Sequence, residues 1–262
     1  MKSFVVILLL LAAADLWAFR GVVETIGGEK FQGEIRLEKD SCSLTQTNGA
    51  LQKIALAQIA LLRAEPWRKP SPRDPESDPH AQPTEEHETA KAVPGVQLIG
   101  GSFIARRVHL ADDTWIKFSD SPKESSLSTL SVARIFFQPP TPEMEAKLHA
   151  GCAGLLLKRN DFIESEFKGI AHGKIKVSSV LFGMKSYDPA QVQVLALRDP
   201  QPASAKYELR TKSDSHLHVN SFSVDRDRLI IQDPAMAGFQ IAVSDLAEIR
   251  RCPTASRLAE PR

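Results

Sequence analysis

The sequence predicts a mainly β protein: four tandem small five-stranded antiparallel β-barrel-like modules, with one proline-rich linker and one short helix. Three observations predict it. Apolar residues alternate with polar ones over short runs, as in Phe31-x-Gly33-x-Ile35-x-Leu37, which is the pattern of strands with one buried face. The runs are separated by Gly, Asn and Asp at positions that suit tight turns. The same layout recurs four times at nearly constant spacing, the signature of a repeat.

Residues 1–18 read as a secretion signal. Lys2 gives the positive start, Phe4–Ala14 the apolar stretch, and Ala12–Ala14 a small-residue cleavage site, with a second option after Ala18. The apolar stretch is shorter than the roughly 20 residues of a spanning helix, so no membrane span is expected after cleavage. The first module, 19–65, opens with a strand at Val22–Ile26 and turns at Gly27–Gly28. Gly33 in the second strand predicts a bend, Lys39–Asp40 and Asn48–Gly49 predict turns, and Ala57–Gln58 a tight turn before a fifth strand at Ile59–Arg63. The segment 66–94 carries seven of the 17 prolines and few apolar residues, which predicts an extended or disordered linker. A second module is expected over 95–140 and a short helix over 141–150, with Thr141 as N-cap and Pro142 at the first helical position. The third and fourth modules are expected over 151–199 and 206–252, and 253–262 is a tail.

Three landmarks align the copies. An apolar residue opens the second strand: Phe31, Phe103, Phe162 and Leu217. A turn precedes it: Gly27–Gly28, Gly100–Gly101, Asn160–Asp161 and Lys212–Asp214. An apolar triplet closes the unit: Ile54–Leu56–Ile59, Leu130–Val132–Ile135, Tyr187–Pro189–Val192 and Ile241–Val243–Leu246. First and last landmarks lie 28, 32, 30 and 29 residues apart. This predicts one buried cluster from Leu37, Leu44, Ile54, Leu56 and Ile59, and its counterpart from Leu217, Leu229, Ile231, Ile241 and Leu246.

Five short strands with a tight turn before the last resemble SH3-like or Sm-like small barrels. The stretches GLLLKRNDFIESEFKGI (154–170) and SSVLFGMKSYDPAQV (178–192) are similar to β-modules of exported bacterial proteins, some of which stand beside carbohydrate-binding modules. The resemblance implies an envelope protein that binds protein, peptide or polysaccharide.

Candidate chemistry is sparse. His216-x-His218 puts two imidazoles on one strand face, with Asp214 nearby, a spacing that can hold a metal. Ser165 and Lys168 match S-x-x-K, but in an alternating strand rather than the helical turn that motif uses. His149 and Cys152 are three apart near a helix end. Asp112–Asp113 and Asp225–Asp227 suit hairpin turns. Trp115, Phe118, Phe136 and Phe137 read as core aromatics. A site between modules would draw on His172, His216 or His218, and a hydrolase or metal-dependent enzyme of that kind is the alternative reading. The loop Val180–Leu181–Phe182–Gly183 is apolar where a turn is usually polar. It predicts either a contact with the fourth module or, together with Tyr187, an external binding edge; the short spacer favours the contact. Cys42 reads as a buried small residue, and a Cys152–Cys252 pair is left open. A formal net charge of +1 gives no bulk attraction for nucleic acid. The expectation is an exported, non-enzymatic binding or scaffolding protein of the periplasm or cell envelope, with no cofactor.

Overall fold

A computed structural model describes residues 18–65, 93–119 and 126–252. The expected signal apart from Ala18, nearly all of the proline-rich segment and the tail lie outside the described residues. The first unit contains β1 (Ala18–Thr25), β2 (Lys30–Leu37), β3 (Ser41–Gln46), β4 (Leu51–Ala55) and β5 (Ile59–Ala64). β1 to β4 pair as an antiparallel meander, and β5 returns to β1, giving the order 5-1-2-3-4. The alternation in β2 and β3 buries Ile35, Leu37, Cys42 and Leu44 on one face. Gly33 lies opposite Gly21, where a Cβ would come within 2.2 Å of the Thr45 carbonyl oxygen. It therefore permits close backbone approach without breaking the strand.

The same pairing recurs. The second unit holds β6 (Gly95–Leu98), β7 (Phe103–Ile104), β8 (Val108–Ala111), β9 (Trp115–Phe118), β10 (Ser126–Ser128) and β11 (Val132–Phe136). The third holds β12 (Gly154–Leu157), β13 (Phe162–Glu164), β14 (Glu166–Ala171), β15 (Lys174–Ser179), β16 (Gly183–Tyr187) and β17 (Val192–Ala196). The fourth holds β18 (Tyr207–Thr211), β19 (His216–Val219), β20 (Phe222–Asp225), β21 (Arg228–Ile231), β22 (Gln240–Ala242) and β23 (Leu246–Arg251). In the last three units the second strand is broken in two, so it bends from one sheet into another.

Two hydrogen-bond motifs explain why the spacing is so regular. Each first hairpin is a three-residue loop closed by an αL residue, at Gly28, Gly101, Asn160 and Asp214, with φ between 67° and 92°. The N–H of each donates three residues back, to Thr25, Leu98, Leu157 and Thr211. Gly, Asn and Asp are the residues that tolerate this conformation. Each loop is also tied to the 3₁₀ turn before the fifth strand. The N–H groups of Ile26, Ile99, Lys158 and Lys212 donate to the carbonyls of Gln58, Ser131, Gln191 and Asp245 at 2.7–2.9 Å.

These ties correct the second triplet. Its 3₁₀ turn is Thr129–Ser131, so the residues equivalent to Ile54–Leu56–Ile59 are Leu127–Thr129–Val132. Leu130, placed in the triplet from sequence, is 68% exposed. Thr129 is buried because its hydroxyl donates to the Asp112 carbonyl at 2.9 Å, which no apolar pattern records.

No closed barrel forms among the described residues: fourth and fifth strands of a unit do not pair, and the sheets stay open. The units instead share strands edge to edge. β5 pairs with β23, β19 with β7, and β11 with β17, which fuses fourteen strands into one sheet. The units stand in that sheet in the order first, fourth, second, third. β8 to β10 and β14 to β16 form a six-stranded sheet, and β20 to β22 a three-stranded one. The third and fourth units are thus not joined edge to edge, although both contribute to one buried cluster. No strand of one pairs with a strand of the other among the described residues, and the spacer between them runs back along the second unit, where Gln201 N–H donates to the Ile99 carbonyl at 2.7 Å.

One apolar cluster runs through all four units. Both predicted sets belong to it, with Leu56 half-buried against it. At the seam of the first and fourth units, buried Leu62 lies opposite Ile249. Beside them Glu248, 10% exposed at its side chain, accepts from Arg63 Nε at 2.8 Å and Arg250 Nε at 3.0 Å. The helix α1 (Pro142–Glu145) is capped by Thr141, whose hydroxyl accepts from Met144 N–H at 3.3 Å. It seats Met144 over Phe136, Leu156 and Val194 on the outer face of the seam between second and third units. Among the described residues no helix is long and apolar enough to cross a membrane.

Candidate functional site

The third unit carries the most exposed apolar group. β14 and β15 are joined by a two-residue turn, His172 (φ 51°) and Gly173 (φ 65°), the geometry that matches strand twist. β15 alternates, so Ile175 and Val177 face the core and Lys174 and Lys176 face water. β16 then returns with Ser179 opposite Gly183 and Ile175 opposite Tyr187. That pairing leaves only Val180, Leu181 and Phe182 at the tip. They are 103%, 83% and 56% exposed, and Met184 is 62% exposed. The expected burial of Phe182 against the fourth unit is thereby overturned: three residues between paired positions give the loop no reach toward any core. Tyr187, grouped with the tip from sequence, is half-buried and packs against the main core.

Beside the tip the second strand breaks at Ser165. Its N–H donates to the Ala153 carbonyl at 3.1 Å and its hydroxyl to the Ile163 carbonyl at 3.3 Å. β13 continues into the large sheet and β14 into the six-stranded one. Between them opens a groove of about 660 Å³, lined by Phe162, Ser165, Glu166, Ser179, Leu181 and Phe182 among others. The His149 ring lies against Phe162, tilted by 41°, with centroids 4.7 Å apart. β16 is the edge of its sheet, pairing with β15 alone among the described residues. Around it Lys174 pairs with Asp188 at 3.1 Å and Lys168 with Glu166 at 2.6 Å. Lys176 and Lys185 are exposed with no ion-pair partner among the described residues.

The remaining candidates resolve into structural roles. His216 Nε2 hydrogen-bonds Glu208, which also accepts from Arg210, while the His218 backbone N–H donates to Ser102 Oγ at 2.9 Å. The two rings lie 4.9 Å apart. Burial, with the neighbouring His216 charge, holds His218 below the ordinary imidazole value. For Glu208 burial raises the pKa, but the bonds from His216 and Arg210 outweigh it and leave it lowered. Asp214 is taken up in the β18–β19 turn. No group of three or more His, Cys, Asp or Glu side chains among the described residues is placed to hold a metal.

Ser165 is buried at the strand break, and Lys168 is an exposed bulge residue bound to Glu166. The Cys152 thiol hydrogen-bonds Glu164, which with burial raises its pKa, the opposite of what a thiolate nucleophile needs. Cys42 is pushed up to about 12 by burial and the Glu38 charge. All three cysteines are free thiols, so the Cys152–Cys252 pair is not made. His172 sits in its exposed turn. Phe118 and Phe136 are core as expected and Phe137 packs on the core, whereas Trp115 is 49% exposed. Sequence reasoning missed Met184, Lys176 and Lys185. The outward positions of an alternating ribbon were the available signal. No protein-family model, no curated protein and no solved structure matches the chain.

Proposed function

We propose that this chain is an exported, non-enzymatic binding or scaffolding protein of the cell envelope. On this reading it is built from four small-barrel-type units of SH3-like or Sm-like kind, and it binds at the Val180–Phe182 tip and the adjoining groove. Four observations support the barrel kinship: the recurring order 5-1-2-3-4, the shared αL hairpin, the 3₁₀ turn before each fifth strand and its tie to that hairpin. The export reading rests on the composition of 1–18.

The observation that carries the binding site is the contiguous apolar group Val180, Leu181, Phe182 and Met184, held in water beside a concave groove. Large apolar side chains gathered on a surface mark contact sites, and a groove lined by apolar residues together with a few serines, His149 and two carboxylates suits a ligand. Arrays of peptides and of glycans, probed with the full chain and with a Leu181→Ser/Phe182→Ser variant, test the site. Ligands of the parent chain should be lost by the variant at an unchanged melting temperature. Ligands retained by the variant would contradict the assignment.

A further inference from the structure

We infer that the ligand is an extended acidic peptide segment that adds to the edge of β16 as a further antiparallel strand. The inference rests on the binding site proposed above and adds the class of its occupant. β16 presents outward backbone groups with no protein partner among the described residues, and strand addition satisfies such groups with affinity that is largely independent of sequence. Sequence preference then comes from side chains. Lys185 stands in the middle of the edge, and Lys176 lies one strand behind, opposite the small Ser186. Neither has an ion-pair partner among the described residues. At the other end Met184, Leu181 and Phe182 offer apolar contact.

These charges also discriminate among occupants. In the register of greatest overlap, antiparallel pairing of β16 with a second copy sets Lys185 against Lys185, and like charges directly opposite are destabilising. Edge lysines are a common guard against self-pairing. A neutral glycan leaves both lysines unused. An acidic strand neutralises them and covers the tip in the same act. The groove side carries Glu164 and Glu166, so carboxylates are disfavoured there. The segment therefore runs with its acidic residues opposite Ser186 and Lys185 and its apolar residues following toward Met184 and Phe182, which in an antiparallel strand places the acids N-terminal to the apolar residues.

A display library of short random peptides, selected against the immobilised full chain, tests this. Enriched peptides should carry adjacent Asp or Glu followed by apolar residues. A synthetic copy of one should slow hydrogen exchange across Gly183–Tyr187 and bind more weakly as salt rises. It should bind Lys185→Glu about tenfold less tightly, a change of about 1.4 kcal/mol. The Lys185→Glu chain should in turn enrich basic peptides. No enrichment, enrichment without acidic residues, or indifference to Lys185→Glu would overturn the inference. Dimers seen in sedimentation and abolished by Leu181→Ser/Phe182→Ser would also overturn it, assigning the edge to a second copy. Peptides that ignore Lys185 but are lost by the tip variant remove only the strand-and-charge claim. Peptides that also survive the tip variant remove the binding site itself.

Discussion

The loop between third and fourth strands occurs in the third unit as Val180–Phe182 and in the fourth as Gln232–Phe239, and both are rich in apolar residues. In the fourth unit Asp233 caps a short turn by accepting from Ala235 N–H at 3.0 Å. Met236 and Phe239 fold back to 1% exposure, with the Phe239 ring edge-on to Phe118 of the second unit and under the Arg106 guanidinium. In the third unit the corresponding side chains stand in water. Eight residues between paired strands have the slack to return to the core, whereas three do not. Loop length, not composition, decides which apolar loop completes the fold and which is left in water.

Substitution is the sharpest way to break that comparison. Phe239→Ala should destabilise the chain by about 3–5 kcal/mol, the range for a buried Phe. Phe182→Ala should change it by less than about 0.5 kcal/mol, as at other exposed positions. Denaturant midpoints of the two variants decide it. Equal losses would mean that the two loops have the same fate.

A second, smaller effect probes the seam of the first and fourth units. Glu248→Ala leaves Arg63 and Arg250 facing each other at the contact of first and fourth units. It should cost about 1–3 kcal/mol, toward the lower end because Arg63 is half exposed and its pairing is screened by solvent. Equilibrium unfolding measures this. Glu248→Gln, which keeps the hydrogen-bonding shape, should lose less.

The pH dependence offers a weaker contrast between two clusters. Hydrogen bonds from Lys53, Ser43 and Ser41 lower Glu38 to about 2. Its folded value lies below the unfolded one, so its contribution is fully present above the ordinary carboxylate range and is lost as pH falls toward 2. His218 is also lowered in the folded chain, so protonating it opposes folding. Its contribution is present above the ordinary imidazole value of 6.5 and declines as pH falls below it. Unfolding midpoints followed down in pH should therefore drop in two windows. Lys53→Ala should blunt the acidic one alone, and an unchanged acid limb in that variant would contradict the Glu38 assignment.

The smallest effect is chemical. A maleimide probe on the folded chain should spare Cys42 and modify Cys152 and Cys252, with peptide mapping as the readout. Labelling of Cys42 at the rate of the others would mean that β3 opens.

Much of each unit was legible because local chemistry dictates it. Gly28, Gly101, Asn160 and Asp214 announce αL turns, and the alternation of Ile35 and Leu37, or Ile175 and Val177, announces a buried face. The second unit was misaligned by three residues because Leu130–Val132–Ile135 is wholly apolar, while the true position is held by Thr129 through a hydroxyl bond. Assembly was not legible at all. The seam pairs Leu62 with Ile249 across most of the chain, and nothing near either residue specifies the other. The tip misled for the opposite reason: apolar composition suggested burial at Phe182, and only the Ser179–Gly183 register shows that the loop is too short for it. Of the site, sequence alone showed Leu181 and Phe182. The groove depends on the divergence of two sheets at Ser165, a tertiary event.

Hydroxyl-radical footprinting of the free, folded full chain tests the central claim most directly, because it reads both loops in one sample. Phe182 and Met184 should be oxidised at nearly the rate of the unfolded chain, while Phe239 and Met236 are strongly protected. Protection of Phe182 and Met184 comparable to that of Phe239 and Met236 would contradict the account, since the third unit would then have no open apolar tip and the proposed site would be gone.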